Sequence, residues 1–562
     1  MDAKNSRLKN LLDGTQQYLV PIYQREYSWE KEQWQQLWLD IAELEQDQPD
    51  DHHFLGSIVA KAYDAKSGGL TKFLLIDGQQ RLTTLTLLLA AIRDALREDD
   101  DPESQKRADM IHDRYLSNRY EQGEDAVKVL PTKTDRPSYL SLVLGSDLDG
   151  QASANILGAY KFFRDSLNKA ASSDKLFTPS LFLATLVERI EMVSITLGAD
   201  DNDYRIFESL NAKGTPLTQT DLLRNFFLMR FTNQSKQESV YNSLIRPITS
   251  EISSVEGGSS DTMFQYSLQR RGVYVRDKDI YFQWKRATEG ATPEELERAL
   301  IDIKRDSANY LCLVDPFREK SAAVVRRLMR FKQLGILTPM PFILNAFRWR
   351  EDKIIDDNGL ARILQLIESY LVRRMFARVP TNALNRVFIM LDKQLPEGDK
   401  VQATHRALSA HGLRWPNDED FHESFANHSI YADSRPAQRM LVLVSLEESF
   451  GNKESPVPNT ATIEHVMPQT LTPAWREELG HDADRVHRNN LHRIGNLTLS
   501  AYNSELGNLP FDEKKKRYAT SNFELNKMFL EFDHWNEDAI KERAKQLFER
   551  AKAIWISPLS ID

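Results

Sequence analysis

Residues 73–92 read FLLIDGQQRLTTLTLLLAAI, and this stretch decides how the N-terminal part of the chain folds. A short apolar run stops at Asp77-Gly78-Gln79-Gln80-Arg81, and a longer apolar segment follows it. The pattern predicts a strand, a tight turn and then a buried helix. Because free backbone N–H groups and the positive end of the helix dipole meet at such a turn, it favours anions, and phosphates in particular.

The composition is that of a soluble globular protein. The 562 residues are 41% hydrophobic and 28% charged, which suggests about three or four domains. The longest strongly apolar run, 85–92, is far shorter than the roughly 20 residues that span a membrane, and the N-terminus has no apolar signal, so a cytoplasmic location is expected. The net charge of −9 argues against coating nucleic acid by bulk charge, and the single cysteine, Cys312, excludes internal disulfides.

Hydrophobic patterning divides the chain into three parts, 1–230, 231–420 and 421–562. The first part mixes helices with strand-like runs at 54–60, 73–76 and 192–197. The second is helical, with an apolar stripe along 360–371. The third begins around a Gly/Pro/Asn-rich break and ends in an amphipathic helix that carries Trp535.

Two other stretches of the first part carry candidate ligands, VPIYQREYSW at 20–29 and RIFESLNAKGTPLTQTDLLRN at 205–225. Taken singly, such aromatic residues usually pack, and a Lys-Gly-Thr-Pro turn usually stops and restarts a helix. Taken together, they supply cations and directional amides suited to a polyphosphate, although no P-loop motif occurs. The candidate nucleotide-binding residues are Tyr23, Gln24, Arg25, Asp77, Gly78, Gln79, Gln80 and Arg81, with Lys213 as a further cation.

Four segments, PIYQREYSW, FLGSIV, LLIDGQQRLTTL and FESLNAKGTPLTQTDLL, resemble the N-terminal domain of GmrSD-type, modification-dependent (type IV) restriction enzymes, a family that includes the BrxU and SspE proteins. That domain is similar to the ParB/sulfiredoxin fold. The resemblance implies binding and hydrolysis of an NTP, coupled to sensing of modified DNA, with Asp77 to Arg81 at the position of the nucleotide-phosphate motif. Whether the nucleotide is GTP or ATP stays open.

A second constellation lies in TIEHVMPQT, 462–470, and in the following segment 487–518. Hydrolysis of a phosphodiester requires a base that activates water and a metal that stabilises the leaving oxygen. Glu464 and His465 offer a metal ligand and a base side by side, and Asn503 offers an oxygen ligand suited to Mg²⁺ or Mn²⁺. Asn496 can brace the loop that orients the histidine.

The other polar residues of this part have ordinary interpretations that compete with a functional one. His481 and His487 are expected to be surface or capping residues, and a zinc site made from them with His465 and His492 fits no known spacing. The segment 485–517 contains seven Lys or Arg residues and only three acidic residues. Such a run is usually a solvated face, but a local basic patch beside a phosphodiesterase site is also what DNA binding requires.

The order Glu-His-x-x-Pro, Gly-Asn-Leu-Thr-Leu and then Asn503 resembles an HNH (ββα-metal) nuclease, and more narrowly the C-terminal domain of the GmrSD-type family. The resemblance implies that His465 is the general base and Asn496 the structural asparagine. It places Asn503 where a third His or Asn sits, and Glu464 where many HNH enzymes have an aspartate ligand, which leaves the ligand assignment open. Further residues that fit the narrower resemblance are Phe511, Lys514, Lys515, Trp535 and Arg543.

The combined prediction is an α+β multidomain protein with a ParB/sulfiredoxin-like NTP-binding domain (1–230), a helical linker domain (231–420) and an HNH nuclease domain (421–562). Its predicted function is NTP-regulated, metal-dependent cleavage of modified phage DNA. Arg373 and Arg374 are candidates for coupling the two sites, with packing or capping as the alternative. Two other functions stay open, an NTP-binding DNA sensor with an inactive nuclease fold and an abortive toxin that cuts host DNA or RNA. A homodimer is also open, and no membrane partner is expected.

Overall fold

A computed structural model describes residues 2–46, 51–65, 69–145, 151–174, 176–198, 201, 206, 217–231, 233–451, 461–501 and 506–560. By its internal contacts the chain forms two compact units. The first consists of Met1–Pro247 and Trp284–Arg298, and the second of Ile248–Gln283 and Ala299–Asp562. The second unit therefore contains most of the predicted linker domain as well as the predicted nuclease domain.

The first unit is built on a six-stranded mixed sheet. Its strands are β1 Asp2–Arg7, β2 Gln16–Leu19, β3 His53–Ala65, β4 Thr71–Asp77, β5 Val129–Leu130 and β6 Ile190–Leu197. Their order across the sheet is β1-β6-β3-β4-β2-β5. β3 runs antiparallel to β4 and parallel to β6, and β2 runs parallel to β4. The three predicted strand-like runs thus lie in three neighbouring strands, which confirms the strand predictions.

The rest of the first unit is mainly helical. The helices up to residue 253, the last of which lies mostly in the second unit, are Leu8–Leu12, Lys31–Gln46, Gln79–Arg97, Pro102–Ile111, Arg136–Leu144, Ala154–Ser173, Pro179–Arg189, Gln219–Leu228, Gln234–Val240 and Arg246–Ser253. The helix Gln79–Arg97 begins directly after β4 and is buried along almost its whole length. It packs against the helices Pro102–Ile111 and Ala154–Ser173. The structure therefore confirms the strand, turn and buried helix predicted from residues 73–92.

The second unit is mainly helical. From residue 254 on, the helices, two of which (Ile280–Ala287 and Pro293–Val314) lie partly in the first unit, are Ser260–Gln269, Ile280–Ala287, Pro293–Val314, Ala322–Leu334, Met340–Glu351, Asp357–Phe376, Leu384–Leu391, Lys400–Leu408, Asp418–Asn427, Ile430–Asp433, Pro436–Glu448, Pro473–Leu479, Ala483–Asn490, Phe511–Tyr518, Glu524–Lys527 and Glu537–Ile554. The apolar stripe along 360–371 lies in Asp357–Phe376, as predicted. The last helix begins after Trp535, where the Asn536 side chain caps it by accepting a hydrogen bond from the Ala539 N–H.

One small hairpin interrupts the helices of the second unit. Its strands, β7 Thr462–His465 and β8 Leu497–Ser500, are antiparallel, and His465 lies opposite Leu497. The helix Phe511–Tyr518 follows the hairpin. Leu334 and Phe376 of the predicted linker share one hydrophobic core with Phe421 and Trp555 of the predicted nuclease domain. The architecture is α+β, as predicted. Among the residues that the structure describes, no helix is long and apolar enough to cross a membrane.

Candidate nuclease and nucleotide sites

Glu464 and His465 project from opposite faces of β7, because successive side chains alternate along a strand. The Glu464 carboxylate accepts a hydrogen bond of 2.5 Å from the Lys514 ammonium group, and both side chains are buried. The same ammonium group donates to the His465 carbonyl over 3.0 Å. Burial raises the pKa of Glu464, and the nearby Lys514 cation offsets part of this rise. The structure thus separates the two side chains that the sequence placed side by side.

His465 lies in a cluster of aromatic rings. Its Nε2 atom is 3.2 Å from Nδ1 of His492, and its ring contacts that of Tyr431 edge-on, with 4.4 Å between centroids. Only 4% of His465 is exposed. Burial, together with the charges of His492, Lys514 and Arg439, lowers the pKa of His465 to about 3. His465 is therefore a neutral imidazole at physiological pH, as a proton acceptor must be.

Asn496 fixes the turn that follows His465. Its Oδ1 atom accepts hydrogen bonds from the Met467 N–H (2.7 Å) and from the Trp535 indole (3.0 Å). Its Nδ2 atom donates to the carbonyls of Met467 and Leu491, each over 3.0 Å. The side chain is fully buried, and these bonds use its donors and acceptor within the protein. Asn496 thus holds the backbone next to His465, and its role in orienting the histidine stays a prediction.

Arg543 and Gly495 complete the brace. The Arg543 guanidinium, fully buried on the last helix, donates to the carbonyls of Gly495 and Leu497, each over 2.9 Å. Gly495 approaches this helix so closely that a Cβ atom there would lie 2.2 Å from the Ile540 carbonyl oxygen. Arg543 was singled out in the sequence only through the family resemblance. Gly495 is the first residue of the Gly-Asn-Leu-Thr-Leu motif, but nothing in the neighbouring sequence predicts its close contact with the last helix.

The basic run 514–517 is mostly used within the protein. Lys514 is buried against Glu464, and Lys515 donates to the Phe532 carbonyl over 2.6 Å. Lys516 pairs with Glu513 at the surface. The charge count of the sequence therefore overstates the cationic surface that this helix offers to DNA.

The predicted ligand Asn503 lies outside the described residues. Within the described ranges, no group of three or more His, Cys, Asp or Glu side chains is arranged to hold a metal ion. Glu464 is neutralised by Lys514, so its carboxylate is not a vacant ligand in this arrangement. The described residues do not by themselves form a site that fits Mg²⁺ or Mn²⁺, and the metal prediction depends on residues that are not described.

In the first unit, the segment 20–29 and the turn after β4 lie together, as the sequence analysis expected. Gln24 donates to the Ile76 carbonyl over 2.9 Å, and Gln79 donates to the Arg25 carbonyl over 3.3 Å. Gln80 accepts from the Ser28 N–H over 2.8 Å. All three amides are buried. Their hydrogen bonds hold the loop against the turn, whereas the sequence pattern predicts that these amides bind a polyphosphate. Tyr23 is buried in the same segment.

The turn after β4 leads into the helix without a side-chain cap from its N-cap residue. That residue, Gly78, precedes the helix Gln79–Arg97 with φ +91°. A Cβ atom at Gly78 would lie 2.4 Å from Ile58 Cδ1 and 2.9 Å from the Ser57 carbonyl oxygen. Arg81 donates from Nη2 to the Ser57 carbonyl (2.8 Å) and pairs with Asp77 (3.2 Å), while its buried Nε has no partner in the described part of the chain.

Arg25 forms fewer hydrogen bonds through its side chain with the described residues than Arg81, the other described cation proposed for this site. No hydrogen bond of its side chain to any described residue is present, and burial lowers its pKa while Asp221 acts in the opposite direction. Asp221 in turn pairs with Arg224 over 3.1 Å. The remaining predicted cation, Lys213, and most of the segment 205–225 lie outside the described residues.

The two arginines considered for coupling are structural. Arg373, fully buried, donates to the carbonyls of Pro416 (3.1 Å) and Trp555 (2.7 Å) and pairs with Asp418. Arg374 donates to the carbonyls of Leu413 and Pro380, each over 2.6 Å. Both side chains join loops to the helix Asp357–Phe376, which favours the packing alternative.

Comparison with protein families identifies the class of this protein. A model described as "GmrSD restriction endonuclease, N-terminal domain" matches residues 8–228, and one described as "GmrSD restriction endonucleases, C-terminal domain" matches residues 415–550. Together they cover more than half of the chain, and this protein belongs to the GmrSD restriction endonuclease family. No curated protein matched the chain.

Proposed function

We propose that this protein is an HNH-type DNA endonuclease that cuts modified phage DNA and is regulated by an NTP. Membership of the restriction endonuclease family supports the nuclease class. The observation that carries the finer proposal is the neutral, buried His465 at the end of β7, braced through Asn496 and followed by a helix. A hairpin and helix that present one histidine are the parts of a ββα-metal nuclease.

His465 acts as the general base. Its imidazole takes a proton from a water molecule, the water oxygen attacks the scissile phosphorus, and a P–O bond to the leaving oxygen breaks. A pKa of about 3 makes His465 a weak base in the free protein. The negative charge of a bound phosphate favours the imidazolium and raises this pKa toward neutrality. DNA binding thereby activates the base in this proposal.

The proposed metal is Mg²⁺ or Mn²⁺, which would stabilise the leaving oxygen. Support for it comes from the resemblance, with Asn503 and Glu464 as candidate ligands. Because Glu464 is bound to Lys514, we expect its contribution to be the positioning of β7 through Lys514. Cleavage assays after chelation, and after return of each metal singly, test this requirement.

Cleavage by wild-type protein and by His465→Ala tests the nuclease proposal. Modified and unmodified DNA are incubated with each protein, with NTP and with Mg²⁺ or Mn²⁺, and DNA binding is measured in parallel. We expect cleavage of modified DNA by the wild type and binding without cleavage by the variant. DNA that stays intact with the wild type under all these conditions would contradict the proposal and favour a sensor with an inactive nuclease fold. Digestion of RNA or unmodified host DNA instead would favour a toxin.

The nucleotide site is proposed at the turn after β4. Three features support it, namely the uncapped start of the helix Gln79–Arg97, the glycine at its entrance and the cations Arg25 and Arg81. We propose that the triphosphate lies on the free N–H groups of this first turn and that Arg25 pairs with it. A ParB/sulfiredoxin-like relationship is part of the same proposal.

Arg25→Gln tests the nucleotide site without removing a side-chain hydrogen bond to any residue that the structure describes. Hydrolysis and binding of GTP and ATP are measured with and without modified DNA. We expect weaker NTP binding by the variant at an unchanged melting temperature. Lys31→Gln, at the start of the next helix, is the control that removes a cation from outside the proposed site. Equal NTP affinity of both variants and the wild type would place the nucleotide elsewhere.

A further inference from the structure

Two histidines face each other in the second unit across a short distance. Nε2 of His465 and Nδ1 of His492 are 3.2 Å apart, and the ring planes are inclined by 75°. His465 is also the residue assigned above as the base, whereas the sequence analysis left His492 without a role of its own. The two nitrogens are within hydrogen-bonding distance, so one of them carries the proton and the other accepts it.

His492 is held in place by residues outside the nuclease hairpin. Its ring stacks on Tyr431 with 5.4 Å between centroids and 12° between planes, and its carbonyl accepts from the Tyr431 N–H over 3.2 Å. The Arg439 guanidinium lies 4.0 Å from the centre of the Tyr431 ring. His492 is thus a fixed partner for His465.

We propose that His492 is a positioning residue whose Nδ1 atom accepts a hydrogen bond from His465 Nε2–H and thereby keeps the lone pair of the His465 imidazole on Nδ1. The opposite arrangement, in which His492 donates to Nε2, would place the His465 proton on Nδ1 and leave neither nitrogen of the base free. No described residue forms a hydrogen bond with Nδ1 of His465. Nδ1 is therefore the atom that takes the proton from water. This inference rests on the proposed role of His465 as the base.

Functional histidines in proteins commonly form a hydrogen bond through the ring nitrogen that does not react. A hydrogen bond to one ring nitrogen fixes the tautomer and the ring orientation, and so decides which nitrogen can react. Backbone carbonyls or carboxylates usually provide this bond, and here a second imidazole does so. A second imidazole orients His465 without adding a carboxylate charge near a phosphate.

The position of the proton can be measured directly in the wild type. Nitrogen NMR of histidine-labelled full-length protein, with His465→Gln used to assign the His465 signals, distinguishes the two tautomers. We expect the Nε2–H tautomer for His465. A proton on Nδ1 would overturn the proposal. This measurement does not need activity, so it separates failure of the inference from failure of the proposed nuclease function.

Two substitutions then test the role of His492 in catalysis. His492→Phe keeps a ring on Tyr431 but removes the acceptor, and we expect cleavage to fall by about 10–100-fold, as for other residues that orient a functional histidine. His492→Asn retains an acceptor near the same place, and we expect it to recover most of that loss and to restore the Nε2–H tautomer. His481→Phe, at a fully exposed histidine of the same domain, is the control. Cleavage by His492→Phe at the wild-type rate would overturn the proposal.

Discussion

Replacement of Lys514 by Met tests how the structure holds the strand that carries His465. Lys514 is fully buried and donates to the Glu464 carboxylate and to the His465 carbonyl. Methionine has a similar length and retains the apolar contacts of the lysine stem. The substitution therefore removes the cation and its hydrogen bonds while it leaves the volume nearly unchanged.

The expected cost is large because Glu464 remains buried without its partner. Removal of one member of a buried ion pair typically costs about 3–5 kcal/mol. The second unit comprises about 300 residues, and at about 2.1 cal/mol/K of unfolding entropy per residue each kcal/mol lowers the melting temperature by roughly 1.6 °C, so we expect its transition to fall by about 5–8 °C. Calorimetry of the full-length protein measures this shift, with Lys516→Met as the control because Lys516 is exposed and pairs only at the surface.

The loss of stability caused by Lys514→Met should depend on pH in a defined direction. Loss of the Lys514 cation raises the folded-state pKa of Glu464 further above that of the unfolded chain. A carboxyl with a raised pKa stabilises the fold below its unfolded pKa, and that contribution is lost as the pH rises through its folded pKa. The melting temperature of the Lys514→Met protein should therefore be closer to that of the wild type at about pH 4.5 than at about pH 8.

A double substitution supplies the matched comparison. Glu464→Gln combined with Lys514→Met removes both charges, and we expect it to recover much of the stability lost by Lys514→Met alone, since replacement of both members of a buried pair is often nearly neutral. If Lys514→Met melts at the wild-type temperature, or if the double variant is no more stable than the single one, the ion pair does not hold β7 as argued here.

Three other substitutions have defined outcomes. Gly495→Ala brings a Cβ atom to 2.2 Å from the Ile540 carbonyl oxygen, so we expect a loss of about 1–3 kcal/mol in denaturant unfolding and slower cleavage. Gly78→Ala strains a residue with φ +91° and should lower NTP affinity in calorimetric titration, while Gly145→Ala, which has open space around it, should not. Arg373→Met should lower the melting temperature of the second unit but leave cleavage per folded molecule unchanged, whereas slower cleavage at equal stability would indicate coupling.

The turn after β4 could be predicted because all of its signals are local. An apolar run, a glycine and a long apolar segment are sufficient to place a strand, a turn and a helix. The partners of Gln24 and Gln80 could not be predicted in this way. An amide can bind a phosphate or a backbone carbonyl equally well, and the choice depends on which loop lies against it. In the structure Gln24 reaches the Ile76 carbonyl, 52 residues further along the chain.

The nuclease motif shows the same division between local and distant information. His465 and Asn496 can both be recognised from the motif, and in the structure the Asn496 side chain contacts the turn directly after His465. The separation of Glu464 from His465 follows from strand alternation, but a strand of four residues, Thr462–His465, is too short to be recognised by its pattern. The role of Lys514 was hidden because it lies in a run of basic residues that usually indicates a solvated surface.

The buried cations explain how so small a hairpin can position the proposed base His465. β7 and β8 have four residues each, and an isolated two-stranded hairpin is marginally stable at best. The connection between them is long and contains the helices Pro473–Leu479 and Ala483–Asn490, so no tight turn fixes the pairing. Carbonyl groups at the paired ends of the two strands are buried, and a buried carbonyl without a hydrogen bond is costly. Lys514 and Arg543 supply donors to the carbonyls of His465, Gly495 and Leu497 from two separate helices. The orientation of His465 therefore depends on helices that contribute nothing to the motif by which the nuclease was identified.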